Sequence, residues 1–181
     1  DGGDELCSSK LPPANRTKAS AFQEHLTLLD GLCLLLVGLA PASHGANRTG
    51  RMFTGDPTAD FLAAALYRAG FASQPTSEHV DDGLLLRDAF EIAVVRCAPP
   101  DDKSTMAEQH ACRPYLHQEI HLLPNLKAAL AFGRVAFDNY LRAVSEMTGT
   151  PREPADAGDD MDFEAALKRL EQIVQTLERG D

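Results

Sequence analysis

Asn47, Arg48, Thr49 and Arg51 crowd into one short stretch, Gly38 to Asp56, which also holds glycines at 38, 45, 50 and 55. Amide, hydroxyl and guanidinium donors at that density suit phosphate or another polyanion, because several charge-assisted hydrogen bonds can converge on one group. The glycines let a ligand approach the backbone closely. Phe53 sets one flat apolar face among polar neighbours, a platform for a base or a sugar. The stretch GLAPASHGANRTGRMFTGD thus reads as a nucleotide or polyanion site, although an ordinary connection has the same composition. It is neither the dinucleotide fingerprint, which needs G-x-G-x-x-G, nor a P-loop, which needs Gly-Lys before Ser or Thr.

A second constellation is Cys97 with Cys112, which bracket CAPPDDKSTMAEQHAC. Two thiols around a Pro-rich excursion suit a metal or an iron–sulfur cluster, but a four-thiolate site needs two more. On spacing alone they also read as two unrelated thiols. Cys7 is available, whereas Cys33 sits in an apolar run and reads as core, where reduced cysteine is commonly buried. Of His25, His79, His110, His117 and His121, only His117 and His121 have i, i+4 spacing. Glu119 lies between that pair without the H-E-x-x-H order, so the histidines read as solvated surface.

These groups need elements to position them. Leu32 to Val37 is a short apolar run that breaks into the Gly-rich stretch, the pattern of a buried strand feeding a binding loop. Asp56 before Pro57 predicts a helix start, and Asp60 to Ala69 keeps apolar residues at helical spacing until Gly70. Phe71 to Asp82 reads as a loop. A second strand is expected over Phe90 to Cys97, bounded by Pro99-Pro100, then a helix over Thr105 to Leu123. A third strand follows over Lys127 to Phe132, and Gly133 opens a helix from Arg134 to Met147. Alternating strands and helices predict an α/β fold, a three-layer α/β/α sandwich with a parallel central sheet.

The chain has 181 residues, 44% of them apolar, enough for one ordinary domain. No apolar run approaches the roughly 20 residues that span a bilayer. Asp1 in place of Met reads as a fragment or trimmed end. Four cysteines in this length do not make a disulfide scaffold, so a reducing cytoplasm is expected and the sequons at Asn15 and Asn47 are chance. The net charge of −10 argues against a generic nucleic-acid sponge. Residues 146–181 carry four basic and ten acidic side chains, whereas residues 38–145 carry ten and twelve. A nearly balanced centre can still present a local basic face.

GLAPASHGANRTGRMFTGD, VVRCAPPDDKSTMAEQHACRPYL and LKAALAFGRVAFDNYL together resemble the iron–sulfur uracil-DNA glycosylases of the family-five branch, over residues 34 to 145 or so. The resemblance implies an α/β/α sandwich and base-excision repair of DNA, by flipping out uracil or another deaminated base and hydrolysing its N-glycosidic bond. It implies that Gly38, Leu39, Ala40, Pro41 and Ala42 line the pocket, with Ala40 where other branches carry a polar or acidic residue. Fixed dipoles would then replace a carboxylate base. Asn47 and His44 become the polar catalytic candidates, Phe53 the stacking face, and Arg48 and Arg51 the phosphate contacts. Cys97 and Cys112 match half of a [4Fe–4S] ligand set, Cys7 is the available third thiolate, and the cluster is expected to be incomplete and labile. The implied partner is DNA, with no membrane.

Three features depart from that family. It supplies its other two ligands as a closely spaced N-terminal cysteine pair, absent here. Ile92 and Ala93 stand where related branches recognise the base with a polar group. A His-Pro-Ser signature has no counterpart after Leu141, so the sheet is expected to be incomplete on its C-terminal side and the activity impaired. Met161 to Asp181 resembles instead the first helix of the exonuclease VII small subunit. Phe163, Leu167, Leu170, Val174 and Leu177 form a narrow apolar stripe for a partner helix. The competing reading is therefore a non-enzymatic helical interaction module. The expected organisation is an irregular segment 1–31, a glycosylase-like domain 32–147, an acidic linker 148–160 and an amphipathic helix 161–181.

Overall fold

In the computed structural model, which describes residues 34–150, the apolar run forms the central strand of a parallel sheet. In chain order the elements are β1 (Leu34–Gly38), α1 (Ala46–Thr49), α2 (Pro57–Arg68), β2 (Ala89–Ala93), α3 (Met106–His121), β3 (Ala128–Ala131) and α4 (Arg134–Thr148). β1 lies between β2 and β3, with Leu36 opposite Glu91 and Leu130, and Gly38 opposite Ala93. All five residues of β1 are buried. Side chains alternate along a strand, so an unbroken apolar run is buried only where both faces of its sheet are covered.

Helices cover both. Leu34 and Leu36 pack with Leu62, Ala65 and Leu66 of α2, while Leu35 and Val37 pack with Cys112 and Leu116 of α3 and Ala136 and Ala143 of α4. The result is the expected α/β architecture, with three strands among the described residues. Local signals set the helix starts. Asp56 accepts a hydrogen bond from the Ala59 amide at 2.9 Å with Pro57 in the first turn. Thr105 and Glu108 form a capping box, each side chain accepting from the other's amide, at 3.2 and 2.7 Å. Across the α3–α4 interface, Asn139 Nδ2 donates to Gln109 Oε1 at 2.9 Å, and Arg113 pairs with Glu146 at 3.2 Å.

Some expectations need correction. His117 is half-buried rather than solvated, its Nε2 3.1 Å from Glu146 Oε2, because α4 packs over that side of α3. His79, His110 and His121 are exposed. Regular β2 pairing ends at Ala93, short of Cys97, because β1 itself ends at Gly38. The amides of Val94 and Val95 still reach the carbonyls of Gly38 and Leu39, each at 2.9 Å. The helical turn α1 was not anticipated; it closes on Gly50 at φ 81°. Among the described residues no helix is long and apolar enough to cross a membrane. The expectations for residues 1–31, His25, Cys7, Cys33, the linker beyond residue 150 and the helix 161–181 lie outside the described residues.

Leu36 is fully buried at the centre of the sheet. Replacing it with Ala is expected to cost about 2–5 kcal/mol, through lost transfer energy and a residual cavity. Urea unfolding followed by circular dichroism should show the midpoint falling with little change in slope. An unchanged midpoint would mean that β1 is not the core strand described.

Candidate functional site

The stretch from Gly38 to Asp56 leaves the carboxyl end of the central strand, where open parallel sheets hold ligands. A Cβ on Gly38 would come within 3.0 Å of Phe53 Cζ and 3.1 Å of Met52 Cε, so these two side chains close over the strand end only because residue 38 has none. Phe53 is half-buried, its ring centroid 4.9 Å from that of Phe132 and tilted by 55°. Its φ is 44°, in the left-handed region that bulky residues avoid. Something must hold it there.

The clasp beneath Phe53 starts at Arg51. Its guanidinium grips the Asp82 carboxylate with two bonds of 3.0 and 2.8 Å, and donates to Ser77 Oγ at 3.0 Å and Thr54 Oγ1 at 2.9 Å. Thr54 and Ser77 are 0% and 1% exposed, and their hydroxyls lie 2.8 Å apart. Ser77 Oγ also donates to the Phe53 carbonyl at 2.9 Å, and Thr54 Oγ1 lies 2.9 Å from that of Met52. Burial pulls the Asp82 carboxyl up, but the Arg51 guanidinium and the amides of Leu84, Glu78 and His79 outweigh it and hold the group well below the usual carboxylate range. Arg51, expected to contact phosphate, thus spends its donors inside the protein.

Glu91 sits on β2, on the α2 face of the sheet. Burial pushes its carboxyl up to about 8, against the attraction of Arg51. The group is therefore largely protonated at neutral pH.

The other expected site residues divide by exposure. Gly38 is buried, Leu39, Ala40 and Pro41 are half-buried, and Ala42, His44, Asn47 and Arg48 are exposed. The Ala42 carbonyl accepts from the amides of Gly45 and Asn47 at 3.2 and 3.0 Å, which folds the loop into α1. Arg48 donates through Nε to the His44 carbonyl at 2.8 Å and through Nη2 to that of Gly55 at 3.3 Å, with its side chain at the surface. It remains the loop's surface cation. A Cβ on Gly45 would lie 2.0 Å from Asp56 Oδ2, so α1 packs directly on the carboxylate that caps α2. Ser43 Oγ donates to Asp102 Oδ1 at 3.3 Å, joining this loop to the turn after Pro99-Pro100, where Asp101 and Asp102 adopt φ 54° and 55°.

Ala93 pairs with Gly38 and is buried, as is Ile92, so both positions at this edge of the site are apolar. Cys97 is half-buried just beyond β2, and Cys112 is buried on α3 beside Leu35, Val37 and Leu116. No group of three or more side chains suited to a metal ion occurs among the described residues. Cys97 and Cys112 supply two thiols, half of what a four-thiolate set requires. The sequence reading missed Thr54, Ser77, Asp82, Glu91 and Phe132. Ser77 and Asp82 lie in a polar segment without periodicity, so only their distant partners reveal them.

Against known families, the Uracil DNA glycosylase superfamily matches residues 29–176. A Type-5 uracil-DNA glycosylase of Mycobacterium tuberculosis is 48% identical over 120 residues, which cover 66% of this chain and 44% of that protein. Those of Thermus thermophilus and Pyrobaculum aerophilum are 46% identical over 108 residues and 39% over 115, covering 60% and 64% of this chain and 49% and 50% of theirs. The chain spans about half the length of the curated relatives it matches.

Glu91 generates a pH prediction. Its proton is held up to about 8 in the fold but leaves near 4.5 in the unfolded chain. The favourable contribution is thus complete below about 4.5 and is lost as pH rises through about 8. Glu91→Gln should remove that loss. Melting temperatures of the two proteins should diverge between pH 5 and 9, the variant becoming relatively more stable. Parallel curves would show that Glu91 is solvated and ionised.

Proposed function

The chain belongs to the uracil-DNA glycosylase superfamily, and on that premise we propose that it binds DNA carrying uracil or another deaminated base, as part of a protein that hydrolyses the bond between that base and its sugar. The observation that carries this reading is the Phe53 ring over Gly38, backed by Phe132, at the carboxyl end of the central strand. A base taken out of the duplex loses its stacking, and an aromatic face restores part of it.

In this reading the backbone of Gly38, Leu39, Ala40, Pro41 and Ala42 forms the pocket wall. Water adds its oxygen to C1′ as the bond to the base nitrogen breaks, the bond's electron pair leaves on the base, and the water's proton passes to solvent. Positive charge grows on the sugar and negative charge on the base. Ala40 and Ala93 carry no carboxylate, so stabilisation falls to fixed dipoles and to water oriented by His44 and Asn47. Arg48 meets the displaced phosphate. Arg51 serves the pocket from within, by locking Thr54 and Ser77.

Cys97 and Cys112 would hold one side of an iron–sulfur cluster, with Cys7 a further thiolate from outside the described residues. A bound cluster would tie residues 97–112 to the N-terminal segment and would contribute order rather than a reaction step.

Two measurements test this reading. Single-stranded oligonucleotides with one uracil should bind more tightly than the same strands with thymine. Phe53→Ala should cost about 1–3 kcal/mol of that affinity. Equal affinity for both strands in the parent protein would overturn the assignment. For the cluster, anaerobic purification with iron and sulfide quantification should give substoichiometric, air-sensitive iron, lowered further by Cys97→Ser or Cys112→Ser. A full complement that survives air would refute this ligand set.

A further inference from the structure

We propose that Ser77 is a positioning residue for base stacking: its buried hydroxyl holds the Phe53 carbonyl and so keeps the Phe53 ring presented over Gly38. The inference rests on the reading of Phe53 as the stacking platform.

Phe53 is the one aromatic residue among the described residues with a positive φ, 44°. A phenylalanine gains nothing locally from that backbone conformation, which brings Cβ too close to neighbouring backbone and persists only where surroundings over-determine it. Relaxing φ to the ordinary negative range would swing Cβ, and with it the ring, away from Gly38 and off Phe132. The ring's place is therefore set by what grips the backbone on either side of it.

Ser77 grips it twice. Its hydroxyl donates to the Phe53 carbonyl at 2.9 Å, and its own carbonyl accepts from the Gly55 amide at 2.8 Å. The two bonds bracket Thr54, whose hydroxyl lies 2.8 Å from Ser77 Oγ. Each hydroxyl has one proton, so with the Ser77 proton donated to Phe53 the bond between the two hydroxyls uses the Thr54 proton. The Arg51 guanidinium donates to both oxygens and polarises this relay. At 1% exposure no water competes for the Ser77 hydroxyl.

Ser77 is fixed in turn from its own side. Asp82, which holds Arg51, also accepts from the amides of Glu78, His79 and Leu84 at 2.8, 3.3 and 3.0 Å. The segment 77–84 is thereby folded around one carboxylate before it touches Phe53. Phe132, at the end of β3, supplies the other wall, its amide bonded to the Val37 carbonyl at 2.8 Å. Ser77 thus carries the rigidity of that segment to the ring, 24 residues earlier in the chain.

A double-mutant cycle on the full chain tests this, with binding of a single-stranded oligonucleotide carrying uracil as the readout. Ser77→Ala should weaken binding about fivefold in the parent background, a fraction of the stacking contribution. In a Phe53→Ala background it should change nothing, because the ring it positions is gone. An equal loss in both backgrounds would assign Ser77 a merely structural role and overturn the proposal, as would no loss in the parent. If Phe53→Ala alone has no effect, the stacking reading itself fails, an outcome distinct from the other two. Should Ser77→Ala not fold, Ser77→Cys keeps the volume with a poor donor and is expected to show the same coupling.

Discussion

β1 has a strand on each side and helices on both faces, so none of its side chains has a route to water. Burying one leucine is worth about 1.5–3 kcal/mol, and Leu34, Leu35 and Leu36 with Val37 commit this strand to the centre of the sheet. The strand ends where that logic ends. At Gly38 the neighbour is no longer a helix but the folded-back loop, and Phe53 and Met52 occupy the space where a side chain would be. One residue both terminates the core strand and opens the site.

Two arginines three positions apart show how placement, not type, decides what a charge does. Arg48 stands on a short helical turn with its side chain at the surface. Arg51 turns inward and is consumed by Asp82, Thr54 and Ser77. Its commitment also explains Glu91. One guanidinium cannot neutralise two carboxylates equally, and Asp82 has the direct bidentate contact as well as three backbone amides. Glu91 receives only a longer-range attraction, too little against the cost of burying its charge, and so keeps its proton.

What the sequence disclosed is what local chemistry determines. Leu34 to Val37 announced a buried strand by composition, Asp56-Pro57 a helix start, and Thr105 with Glu108 lie at a start that the sequence also marked. The loop that leaves the carboxyl end of β1 was legible from its glycines. The clasp was not, because it joins Arg51 and Thr54 to Ser77 and Asp82 across a segment without hydrophobic period. Arg51 illustrates the limit: an arginine in a donor-rich loop looks like a ligand contact until its partners are known. His117 was misjudged for the same reason, since Glu146 is remote in sequence.

The apolar character of Ala40 and Ala93 gives this rigidity a purpose in a site of the proposed kind. In a site that works through fixed dipoles and a stacking face, every group that must reorganise as charge develops forfeits part of its effect. Such a pocket needs its aromatic ring and backbone already in place. A loop of glycines and small polar residues does not supply that order by itself. The order comes from a buried serine and a carboxylate outside the loop, which hold one of its arginines away from the surface. In a site of the proposed kind, an apolar pocket wall and a charged clasp beneath it would answer one physical requirement.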